Sequence, residues 1–110
     1  MIIPDTIPLT ILRGRDFEIV FEFEAINLAG YTGRSQIRTV DNISSPLIEE
    51  FAVTITPATN STVTLTLTDA ETTAITAETG WFDLLLIIGT TDATYVRGPV
   101  TFIGSATEKP

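Results

Sequence analysis

The chain has 110 residues, six basic against fourteen acidic for a net charge of −8, and neither histidine nor cysteine. That length fits one domain that buries roughly 60–70% of its unfolded surface without a disulfide or metal staple. The charge repels phosphate backbones and anionic lipid, and the missing residue types remove the commonest general base, nucleophile and soft metal ligands, so nucleic acid and membranes are set aside as partners and an enzyme becomes the least favoured class.

Taken in order, Met1–Ile7 reads as an extended N-terminal arm, with no basic start and no long apolar run that would make it a signal peptide. A first strand is predicted at Pro8–Arg13, closed by Gly14. A second covers Phe17–Ile26, where Phe17, Ile19, Phe21 and Phe23 share one face and Glu18, Glu22 and Glu24 the other, the period of two that marks a half-buried strand. After the Asn27-Leu28-Ala29-Gly30 turn, Thr32–Val40 returns as a third strand and Asp41–Pro46 forms a polar loop. Leu47–Thr56 and Thr62–Thr68 follow as the fourth and fifth strands, joined by a short hairpin loop over Pro57–Ser61.

Thr68-Asp69-Ala70-Glu71 has the capping-box form, which predicts one or two helical turns over Asp69–Ile75. Gly80 opens a sixth strand, Trp81–Ile88, apolar on both faces apart from Asp83, the pattern of a strand in the middle of a sheet. Its run is far shorter than the roughly 20 residues of a membrane helix. A seventh strand covers Thr94–Ile103, interrupted at Gly98-Pro99, and Ser105–Pro110 is a tail. The twenty threonines reinforce the β assignment, because β-branched side chains suit a pleated surface. Seven short strands at 8–12-residue spacing predict an all-β fold, an immunoglobulin-like antiparallel β-sandwich over residues 8–104 with one short helical turn; a small closed barrel is the rival.

Candidate sites are few. Arg13-Gly14-Arg15-Asp16 reads as a tight turn with a local Arg–Asp pair. Arg13, Arg15 and Asp16, with the apolar Met1, Ile2 and Ile3, are also the residues nominated for partner contact. The Glu18, Glu22, Glu24 stripe diverges along a flat strand, so it reads as a solvated face and not as a cation site. Arg38 and Asp83 are the charges most deeply set in apolar context and suggest a partly buried, structural ion pair. Trp81, Phe82 and Tyr95 are read first as core, with sugar stacking as the alternative. Asn42-Ile43-Ser44 and Asn60-Ser61-Thr62 match the glycosylation pattern but read as loops. With no phosphate cradle, paired CxxC or nucleophile elbow, no catalytic residue, cofactor or metal is assigned.

Several segments together carry a resemblance: Arg13-Gly14-Arg15-Asp16, the Gly30-Tyr31-Thr32-Gly33 turn into Gln36-Ile37-Arg38, Leu67-Thr68-Asp69-Ala70-Glu71-Thr72-Thr73, Gly80-Trp81-Phe82-Asp83-Leu84 and Arg97-Gly98-Pro99-Val100-Thr101. Over roughly residues 8–104 the chain resembles small phage and prophage virion proteins related to the N-terminal domain of baseplate upper proteins. Arg15 departs from the aspartate that such proteins often carry after the first glycine. The resemblance implies a non-enzymatic structural subunit of a bacteriophage virion, in the tail or baseplate, packed with other virion proteins in several copies of a symmetric assembly. The alternatives are a capsid decoration or cement protein and a carbohydrate-binding receptor-recognition module.

Overall fold

The computed structural model describes residues 5–23, 26–40, 44–57 and 61–104. They form β1 (Asp5–Thr6), β2 (Leu9–Leu12), β3 (Phe17–Phe23), β4 (Thr32–Arg38), β5 (Leu47–Thr56), β6 (Ser61–Leu67), α1 (Asp69–Ala74), β7 (Thr79–Ile88) and β8 (Thr91–Ile103). The fold is all-β, with one short helix among the described residues.

Hydrogen bonds connect the strands along a single path, β1-β8-β7-β4-β5-β6-β3, and β2 continues β1 alongside β8. The two sheets that the sequence pattern suggested are continuous in the backbone. The reason lies in β5, whose first half pairs with β4 (Ser35 opposite Phe51) while its second half pairs with β6 (Ala52 opposite Thr66). One ten-residue strand thus carries the ladder round a corner at Phe51–Ala52. Irregular register between Ile37 and Arg38 and between Leu84 and Leu85 adds local bending, so the sheet rolls into a nearly closed barrel shape.

Inside the roll the period-two faces meet. Phe21 of β3 and Phe82 of β7 stack with ring centroids 6.5 Å apart, Phe51 meets Phe82 edge-on at 6.3 Å, and Phe17 lies 5.9 Å from Phe51. Val63, Leu65 and Leu67 fill the space from one wing, and Ile37, Leu84, Leu86, Val96 and Val100 from the other. Every buried polar side chain is hydrogen-bonded among the described residues. Leu28, fully buried, plugs one end of the roll, its backbone N–H donating to Ser61 Oγ at 2.8 Å.

Two expectations change at the N-terminal edge. Residues of the anticipated arm belong to the sheet, since Asp5 and Thr6 pair in parallel with Val96 and Arg97, and Ile7 N–H donates to Arg97 O at 2.8 Å. This makes β1 an eighth strand. Gly98 does not interrupt β8 either; it lets Ile7 pass, because a Cβ at this position would stand 2.0 Å from Ile7 O. Met1, Ile2 and Ile3, the tail over 105–110, Glu24 and the asparagines of both glycosylation patterns lie outside the described residues.

Candidate interaction face

The charged turn Arg13–Asp16 holds the structure together from within. Gly14 sits at φ +80°, a conformation that costs glycine nothing, and reverses the chain between β2 and β3. Arg13 Nε donates to Ile75 O at 3.0 Å and its Nη2 to Ala77 O, gripping the segment just after α1. Thr72, fully buried on α1, accepts from Gly14 N–H at 3.1 Å and donates to Arg15 O at 2.7 Å. Asp16 Oδ1 accepts from Asp69 N–H at 2.8 Å at the first turn of the helix. The expected capping box is present, with Thr68 Oγ1 accepting from Glu71 N–H at 3.2 Å and Glu71 Oε1 from Thr68 N–H at 2.9 Å. Arg13 and Asp16, nominated for partner contact, bind the helix and the segment after it to the sheet through backbone groups of Asp69, Ile75 and Ala77. Sequence spacing held no signal for this, because those partners are 53 to 64 positions away.

The outer face of β7 is different. Buried residues alternate along the strand, with Phe82, Leu84 and Leu86 inward and Trp81, Asp83, Leu85 and Ile87 outward. The strand lies between β4 and β8, as its apolar pattern predicted, but its outward side chains are not sealed from solvent by the described residues. Trp81, Leu85 and Ile87 remain only half-buried, and Ile88 at its end is 41% exposed. Phe82 is core, whereas Trp81 faces out with the Arg97 guanidinium carbon 5.7 Å from its ring centroid, within cation–π range. The side chain of Tyr95 lies outside the described residues.

Polar groups frame this stripe in register. Arg38 stands opposite Trp81, Gln36 and Arg97 stand on either side of Asp83, and Arg34 is opposite Leu85. The anticipated Arg38–Asp83 pair does not form, because Arg38 donates through Nη1 to Ser45 O at 2.8 Å and through Nη2 to Gln36 Oε1 at 2.9 Å. Burial of the Asp83 carboxyl raises its pKa, and the Arg38 charge offsets this only in part. Farther out, Arg34 Nε donates to Glu50 Oε2 at 2.7 Å, and that hydrogen bond lowers the Glu50 pKa. Three of the six basic residues, Arg34, Arg38 and Arg97, therefore lie on one face of a strongly acidic chain.

The opposite wing presents another surface. Register aligns Glu18 with Thr66, Val20 with Thr64 and Glu22 with Thr62, and Thr54 and Thr56 extend the rows onto β5. Val20, between two exposed glutamates, is 51% exposed. Among the described residues no three acids gather as they would round a cation. No protein-family model matches the chain, and no characterised protein matches it in sequence.

Proposed function

We propose that this protein is a non-enzymatic structural subunit of a bacteriophage particle, a tail or baseplate component that docks to neighbouring virion proteins through the outer face of β7. The observation that carries the proposal is the apolar stripe Trp81, Leu85 and Ile87, left half-buried in the middle of a sheet with no covering layer among the described residues and framed by arginines. Tryptophan and arginine are the residue types that dominate binding energy at protein interfaces, and a scaffold gains nothing in stability from leaving them half in water. The segments that resemble baseplate upper proteins include the first half of this strand, Gly80–Leu84. We read the rolled sheet as an immunoglobulin-like sandwich. In that reading β3, β6 and the end of β5 form one layer, β2, β8, β7, β4 and the start of β5 the other, and α1 crosses between them.

Arg97 over Trp81 argues against a sugar-stacking role, since a pyranose would have to displace a cation already seated on the indole. The test is fractionation of particles from a producing lysate, probed with an antibody to this chain. The chain is expected to co-sediment with tails in fixed multiples. Its presence only on DNA-filled heads would make it a decoration protein, and its absence from all particles would end the proposal.

A further inference from the structure

We infer that the partner of the β7 face is a second copy of this chain, presenting the outer face of its β3–β6 wing, so that copies associate head to tail. The inference rests on the docking role just proposed and names its occupant.

Charge and spacing carry it. On the β7 face, Arg38 and Arg97 lie on strands either side of β7 and are offset by two residues, which places their Cα atoms ~12 Å apart, with Trp81 and Asp83 equally close to the line between them. On the far wing, Glu18 and Glu22 are four residues apart on β3, ~13 Å along the strand, with Val20 midway. Two cations beside an aromatic ring, with one aspartate between them, thus face two anions flanking an exposed aliphatic side chain. The threonines beside Val20 offer methyl groups and hydroxyls and add no further charge. A net charge of −8 disfavours indiscriminate self-contact, and the basic cluster is the one described surface that answers an acidic neighbour. Arg38 keeps unspent donors, because a guanidinium has five N–H groups and its internal contacts use two. Asp83, beside Arg97, is the group that opposes an incoming glutamate. Because the two patches differ, the contact is heterologous and generates rings or stacks, the kind of assembly a virion subunit needs.

Sedimentation velocity of the full chain over a concentration series tests this. The wild-type protein should grow beyond monomer with concentration. Arg38→Glu with Arg97→Glu should weaken association at least about tenfold, and Glu18→Arg with Glu22→Arg should do the same. Mixing the two double variants should restore association, because each then offers the charge opposite to the one the other has gained; only folded variants can do this. Asp83→Asn alone should tighten it. A wild type that stays monomeric at every concentration overturns the inference, as does a Glu18/Glu22 variant that associates normally. If the Arg38/Arg97 variant is lost from particles while the wild type is monomeric, the β7 face docks a different virion protein: the functional proposal stands and the self-contact falls.

Discussion

Two arginine-bearing regions of this molecule behave differently. The Arg13–Asp16 turn meets a ring of backbone groups left open at α1 and just beyond it, and its charges are consumed in joining helix to sheet. On the β7 face no covering element is present among the described residues; Arg97 rests on the Trp81 ring and the apolar stripe stays half in water. The difference teaches that a charge becomes structural when unpaired backbone groups lie within reach.

The largest effect should come from Thr72→Val, which keeps the side-chain shape but leaves Gly14 N–H and Arg15 O without their buried partner. Loss of about 2–3 kcal/mol in a denaturant titration is expected. A change below a few tenths would mean that the turn does not hold the helix. Arg13→Met retains the aliphatic stem and removes two hydrogen bonds from a charged donor, for a loss of about 2 kcal/mol by the same measurement.

On the β7 face the sign should reverse. Asp83 carries a carboxyl pKa raised by burial, so its folded form binds a proton more readily than its unfolded form. Its contribution is therefore least favourable at neutral pH and improves as pH falls through that raised pKa. Asp83→Asn should leave stability unchanged or slightly higher at pH 7 and flatten that part of a stability–pH curve. A clear destabilisation at pH 7 would show that Asp83 has the partner the ion-pair reading gave it. Smallest of all is Glu50→Gln, which removes the exposed Arg34 contact. The Glu50 pKa is lowered, so the contact's small contribution is present above the usual carboxylate range and fades as pH falls through the depressed value; added salt should erase most of it.

Much of the fold was legible along the chain. The alternation of Phe17, Ile19, Phe21 and Phe23 with glutamates, and of Val63, Leu65 and Leu67 with threonines, places each strand and its inward face, because a period of two admits no other solution. The capping box placed α1 for an equally local reason. Less of the candidate site was legible. Trp81-Phe82 reads as one aromatic pair, yet adjacent residues on a strand point to opposite faces, so one is core and the other surface. The apolar outer side of β7 was visible in the sequence, but its lack of a cover was not.

By itself, then, the sequence determined the strands, their buried faces, the short helix and the acidic charge, since these follow from spacing, capping and composition. Only the tertiary structure decided that β5 would bend one ladder into a roll, that Asp5–Ile7 would join β8 over Gly98, that Arg13 would reach carbonyls 62 and 64 positions away, and that the β7 face would stay open. Each of these depends on which distant groups meet, and closing a long loop leaves no local trace in the residues at its two ends.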